Sequence, residues 1–246
     1  MTIQSANDLA SMRAVGRLVG QAIREMRAAA VPGITTEQLD AVGERYLRRH
    51  GARSAPQLSY DFPGFNCISV NDEIVHGVPG PRALKPGDVV KIDVTAELDG
   101  YIADSALTII IPPATTRAHN LTQSARAAFK RAARVAAATV RVAELGREVE
   151  AEVERWGHAV VHEMCGHGVG RALHEPPSIP NFFSPFTPGR LADGMVIALE
   201  PIISESPTAV VEDEDGWTIR TANGCLAAHH EHTVLIRESG VEILTL

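Results

Sequence analysis

The sequence predicts an α+β fold of two similar halves, each made of two helices followed by an antiparallel β-hairpin. Three observations predict it. Stretches with apolar residues at helical spacing alternate with β-branched runs across all 246 residues. The dipeptide Asp99-Gly100 lies between two such runs, KIDVTAEL and YIADSALTIII, and is a two-residue hairpin signal. Finally, LKPGDVVKID at 84–93 returns in kind as LADGMVIALE at 191–200, with Leu, Gly and Val at matching offsets. A repeat of roughly 110 residues is much longer than a solenoid unit. It implies one domain over 1–246 with pseudo-equivalent halves, about 1–113 and 114–246.

Taken in order, Ser5 with Asp8 three residues later opens a helix that runs to about Ala30, where VPG stops it. A second helix starts after Thr35 or Thr36 and continues through EQLDAVGERYLRRH to Gly51. The Pro- and Gly-bearing segment APQLSYDFPGFN reads as irregular chain leading into the strand CISV, and VPGPRALKPGD as a loop before the hairpin. After the break at IPP, an Ala-rich helix is expected from about Thr116 to Ala138, then a shorter one across ELGREVEAEVERWG. Strands then return.

Composition narrows the function. With 45% hydrophobic residues the chain can bury a substantial core. Its formal net charge of -7 argues against a nucleic-acid partner, and the basic stretch RAAFKRAARVAAATVR reads as a solvated helix face. The opening MTIQSANDLASMRAVG lacks the pattern of a signal peptide, and no apolar run approaches the roughly 18 residues of a membrane span. A cytoplasmic protein without a membrane partner is expected. Cys67, Cys165 and Cys225 are odd in number and contain no CxxC, so neither a disulfide framework nor a zinc-thiolate site is indicated.

Asp93 and Asp104 are poor strand residues in the middle of the hairpin. A turn at Asp99-Gly100 sets Thr95 opposite Asp104 with Asp93 as the diagonal neighbour, so all three share one face. That face could simply be solvated. The second half, however, places Glu200 at the end of the repeated segment and Glu231 before HTVLI. If the halves pack about a pseudo-two-fold axis, Asp93, Asp104, Glu200 and Glu231 converge. Four such carboxylates in a semi-buried cleft require a cation, because burial and like charge both disfavour ionisation. A pair of divalent metal ions is the economical answer, and oxygen-rich ligation with an imidazole suits manganese, iron(II) or cobalt(II), with zinc less distinctive. The imidazole is sought in HEMCGHGVGRALHEPP. His162-Glu163 invites the H-E-x-x-H motif, but Gly166 stands where its second His belongs. His167, flanked by glycines beside a strand end, is the better candidate.

In order, NCISVNDEIVHGVPG, KIDVT followed by ADSA, MCGHGVGRALHEPP, MVIALEPI, DGW and HHEHTVLI resemble the type I methionine aminopeptidases of the M24 metallopeptidase family, over essentially the whole chain. The resemblance implies a pita-bread fold, a central curved sheet with helices on its outer face. It implies that Asp93, Asp104, His167, Glu200 and Glu231 hold two divalent ions, with Asp104 and Glu231 bridging them, Asp93 on one ion and His167 and Glu200 on the other. The ions would be cobalt, manganese, iron(II) or zinc. Glu200 would shuttle the proton of an activated bridging water, while His76 and His174 would hydrogen-bond the scissile amide. Phe62, Cys67, Thr95 and Trp217 would join those two histidines in binding substrate, and Tyr60 is a further pocket candidate. The implied substrate is the N-terminal methionine of nascent polypeptides whose second residue is small. A monomer is expected, and association with the ribosome is left open.

Departures from the family pattern are informative. The segment APQLSYDFPG is less tyrosine-rich, and Leu173 stands where an aromatic is frequent. His229 and His230 replace a Gln and an aromatic before Glu231. Strand alternation turns His229 toward the metals and His230 away; two positions along a strand is about 7 Å, which suggests a hydrogen bond to a ligand rather than ligation. Because an imidazole titrates near neutrality, His229 is expected to add a contribution to the pH dependence of turnover. The rival readings are a prolidase or X-Pro aminopeptidase, which usually carry a large extra N-terminal domain, and a non-catalytic binding homologue that has lost ligands. Helical patterning within the first ten residues and the presence of all five ligands weigh against them.

Overall fold

The frame is set by two helix pairs and the strands they cover. In the computed structural model, which describes residues 1–246, the helices are α1 (Ala6–Ala29), α2 (Thr36–Arg49), α3 (Ala55–Tyr60), α4 (Thr116–Val135) and α5 (Val142–Arg155). Ser5 caps α1 by accepting a hydrogen bond from the Asp8 amide, and Thr35 with Gln38 forms a reciprocal capping box on α2. Thr115 caps α4 in the same way as Ser5 caps α1.

Helix α3 lies in the segment read from sequence as irregular. Ser54 accepts from the Gln57 amide and Pro56 occupies the first turn, where its missing N–H costs nothing. Asp61, with φ of 58°, ends the helix in the left-handed region, and only six residues are helical, too few to leave an apolar periodicity. Similarly, α4 stops at Val135 rather than Ala138, because Ala136 has turned to extended backbone.

The hairpin forms in the register set by its turn. Asp99 and Gly100 both have positive φ, 52° and 80°, and strands Val89–Leu98 and Tyr101–Ile110 pair with Thr95 directly opposite Asp104. Val89–Leu98 also pairs with Cys67–Val70, which sets Cys67 opposite Asp93. In the second half, Val196–Leu199 lies between His232–Arg237 and Cys165–Gly168, all antiparallel. Ala106 and Glu231 exchange both backbone hydrogen bonds, at 2.9 and 3.3 Å, and the Asp104 amide donates to Thr233 Oγ1 at 2.9 Å. These bonds stitch the two hairpins together where both halves carry their carboxylates.

Each helix pair covers its own part of the sheet. Met12, Val19 and Leu39 of α1 and α2 pack with Ile68, Ile92 and Val94; Leu121, Phe129 and Leu145 of α4 and α5 pack with Ile197, Val234 and Ile236. Truncating a fully buried leucine such as Leu121 or Leu145 would cost about 2–5 kcal/mol. The repeat is close only in this framework. A two-residue turn joins the strands of the first half, whereas residues 200–231 separate the corresponding strands of the second and form a separate set of short strands.

Candidate metal centre and active site

On the sheet face opposite the helices, a cavity of about 340 Å³ is lined by Asp93, Asp104, His167, Glu200 and Glu231 together. Asp104 is oriented by Thr95, whose hydroxyl donates to its Oδ1 at 2.7 Å. Glu231 is fixed through its backbone, with Ser105 Oγ donating to its carbonyl at 2.6 Å. The carbonyl of Glu200 accepts from Asn181 Nδ2 at 3.0 Å. His167 stands between two glycines that no other residue could replace without a shift: a Cβ at Gly166 would lie 2.5 Å from the Ala198 carbonyl, and one at Gly168 2.3 Å from that of Pro176. Close strand approach is therefore what puts the imidazole here.

The ring of His167 is oriented for ligation. Its Nδ1 lies 3.0 Å from the Gly168 carbonyl and must carry the proton to bond it, which leaves the Nε2 lone pair free. That Nε2 is 3.2 Å from Glu200 Oε1 and 3.9 Å from Asp104 Oδ2. Burial lowers the pKa of His167 and keeps it neutral.

The acids are in the opposite condition. Burial first, and then the Asp104 charge, pushes Asp93 well above the ordinary carboxylate range; burial followed by Asp104 and a further neighbouring acid does the same to Glu200 and Glu231. Asp104 is raised as well, chiefly by burial. One oxygen each of Asp93, Glu200 and Glu231 is buried without a hydrogen-bond partner. Such atoms are rare in folded proteins and costly when unmatched.

Around this cluster, His76 sits in the turn after strand Glu73–Val75 with φ of 56°, and burial lowers its pKa, followed by the charge of His174. His174 packs its ring on that of His167, with centroids 4.2 Å apart, and its Nδ1 lies 2.6 Å from the Tyr60 hydroxyl. Phe62 and Trp217 meet edge to face at 5.3 Å and form one apolar wall. Cys67 and Leu173 are buried beside the same cavity. His162 lies elsewhere, stacked on Phe182 at 4.3 Å.

The pattern of metallopeptidase family M24 matches residues 10–238. The chain belongs to that family. Methionine aminopeptidase 2 of Bacillus subtilis is 41% identical over 247 residues, covering 100% of this chain and 99% of that protein. The solved methionine aminopeptidase of Thermotoga maritima superposes with a TM-score of 0.94 at 36% identity, covering 100% of this chain and 99% of that one. A prolidase from Pyrococcus furiosus shares the fold with a TM-score of 0.81 at 22% identity, and this chain covers 65% of it. The pita-bread architecture expected from sequence is thus the architecture of the molecule.

For an M24 metallopeptidase the cluster fits divalent metal. Its donors are carboxylate oxygens and neutral imidazole nitrogens, its unmatched oxygens need a cation, and two groups of donor atoms each lie within 4.8 Å of one another: Asp104, His167 and Glu231, and Glu200, His229 and Glu231. Asp93 belongs to neither group but lines the same cavity.

His229 lies on the face that strand alternation assigned to it, beside a candidate ligand. Its Nε2 is 3.3 Å from Glu231 Oε2 and 3.7 Å from Glu200 Oε2. The 7 Å spacing is that of backbone positions, and the long Glu231 and His229 side chains close it by leaning together. Both ring nitrogens lack a hydrogen-bond partner, and burial, with His230 next, lowers the pKa to about 3. A titration of this ring near neutrality is therefore not what its surroundings favour. Sequence reasoning also missed the Tyr60–His174 bond and the wall residue Met164, although Met164 directly precedes the CGHG motif.

Proposed function

We propose that the chain is a methionine aminopeptidase, a hydrolase that removes the N-terminal methionine of nascent proteins and peptides when the second residue is small. The observation that carries this reading is the junction, in one cavity, of a carboxylate and imidazole donor cluster with an apolar wall of Phe62, Cys67 and Trp217. A methionine side chain suits such a wall, and a scissile amide beside it would reach the donors. Full-length likeness to methionine aminopeptidases supports the same reading.

In this proposal Asp93, Asp104, His167, Glu200 and Glu231 would hold two divalent ions. When bound, the ions supply Lewis acidity for the carbonyl and an acidified water as nucleophile. The protein's own groups do the rest. Glu200, whose carboxylate burial and the acidic neighbours make more basic, takes the nucleophile's proton and returns it to the leaving amine. His76 and His174, both kept neutral by burial, donate N–H groups to the amide as charge develops on its oxygen. Thr95 holds Asp104 in orientation, and Phe62, Cys67 and Trp217 hold the methionine side chain. Residues 1–246 act as one catalytic domain with halves at about 1–113 and 114–246, and as a monomer in the cytoplasm; no helix is long and apolar enough to cross a membrane.

A peptide panel tests the reading. Hydrolysis of Met-Ala-Ser in the presence of manganese or cobalt, with little cleavage of Met-Leu-Ser, Ala-Pro or Gly-Pro, is expected. Preferential cleavage of Ala-Pro would transfer the chain to the X-Pro class, and no cleavage with any divalent metal would support a binding homologue.

A further inference from the structure

On the helix side of the same sheet, two cavities of about 280 and about 370 Å³ adjoin at Leu107, Arg126 and His230. Helices α1 and α4 form their walls and the strand Tyr101–Ile110 their floor. No Asp or Glu side chain lines either cavity, whereas Arg24, Arg27, Arg126 and Lys130 do, all four exposed. The arginines of α1 and α4 that make ion pairs are others, Arg13, Arg117 and Arg131. In a chain of net charge -7, four unpaired cations around one groove are a local concentration of positive potential.

His230 supplies the second observation. It is only 8% exposed, held edge-on between Phe129 and His232 with centroids 5.3 Å from each, and its ring, which bonds no protein group, borders both cavities. An imidazole N–H that bonds no protein group and opens onto a basic cavity can donate to an acceptor of a ligand. The larger cavity is polar, with Thr108, Thr122 and Gln123, while the smaller presents Ile23, Phe129 and Ile243.

We propose that this groove binds an organic phosphate monoester. The dianionic phosphate sits at the junction, bonded by the guanidinium groups of Arg126 and Arg27, the Lys130 ammonium and the His230 N–H, and the apolar body lies against Ile23 and Phe129. Several guanidinium forks suit a terminal phosphate better than a single carboxylate. A buried histidine suits an end group that enters, rather than a phosphodiester chain passing over the surface. The chemistry is shared by a nucleoside monophosphate and an alkyl phosphate, so the test has both arms.

The metal-loaded protein is titrated calorimetrically with AMP and with octyl phosphate, beside the variant Arg126→Gln/Lys130→Gln. At least one monoester is expected to bind the parent saturably and to shift the 15N resonances of the His230 ring. The double variant should bind at least about tenfold more weakly, with Met-Ala-Ser hydrolysis unchanged. Equal binding by parent and variant would assign the heat to the metal centre and overturn the proposal. Tighter binding of a single-stranded oligonucleotide than of either monoester, lost in the same variant, would overturn it in favour of nucleic acid.

Discussion

The hydroxyl of Tyr60 lies 2.6 Å from Nδ1 of His174, which joins the short helix α3 to the loop that ends at the catalytic cavity. Burial, with the charge of His167 next, lowers the His174 pKa and favours the neutral ring, whose Nδ1 we take to accept a hydrogen bond from the Tyr60 O–H. The remaining N–H is then on Nε2, the nitrogen available to a substrate amide. Tyr60→Phe keeps the ring and removes only this restraint. It should lower kcat on Met-Ala-Ser by about three- to tenfold, the effect of one partly exposed hydrogen bond, with KM little changed. A variant with unaltered kcat would show that the tautomer of His174 is set by something else.

Glu231 belongs to both donor groups, so its loss should affect metal and protein in opposite directions. Burial and three neighbouring acids disfavour its charge when no cation is present. Glu231→Gln should therefore abolish turnover and reduce bound metal, yet leave the metal-free protein at least as stable as the parent. Metal analysis after dialysis and thermal melts with and without chelator measure both. Chelation should lower the melting temperature of the parent and scarcely move that of the variant. Full turnover in the variant would remove Glu231 from the centre.

Much of this arrangement was legible because it rests on local rules. Asp99-Gly100 determines the hairpin register and hence the shared face of Thr95 and Asp104. The 84–93 and 191–200 repeat anticipates where Asp93 and Glu200 fall. The face that His229 takes was legible from strand alternation, but its 3.3 Å approach to Glu231 was not, because distance along a strand does not describe how two long side chains lean together at its end. Nor was α3, where six residues leave no periodicity and Ser54 with Pro56 is the only start signal. Its consequence, the bond from Tyr60 to His174 across 114 residues, depends on tertiary packing.

The apolar wall predicts a separation of binding from chemistry. Phe62 is 3% exposed and packs edge to face on Trp217, while neither ring touches a proton in the proposed reaction. Phe62→Leu removes the aromatic pair, worth about 0.5–1.5 kcal/mol, and leaves a looser pocket. KM for Met-Ala-Ser should rise by roughly three- to tenfold with kcat within a factor of about two. A fall in kcat at constant KM would place Phe62 among the groups that act on the transition state.

The hairpin that carries Asp93 and Asp104 is closed by Glu97, whose Oε1 accepts from the Gly100 amide at 2.6 Å and whose Oε2 accepts from Arg53 Nε at 2.7 Å. The Arg53 hydrogen bond is the main reason its pKa is lowered below the usual 4.5. A carboxyl whose folded pKa is depressed contributes stability above its unfolded pKa and loses that contribution as pH falls through the folded value. Arg53 is largely exposed, so screening keeps the effect near that of one charge-assisted hydrogen bond, about 1 kcal/mol. Glu97→Gln should thus be less stable than the parent at pH 7 by about this amount, and the two should converge as acid titrates Glu97 below its unfolded pKa. Urea unfolding of both proteins across that range measures the difference. A gap that stays constant down to the lowest pH at which both fold would mean that the charge of Glu97 does not brace the turn.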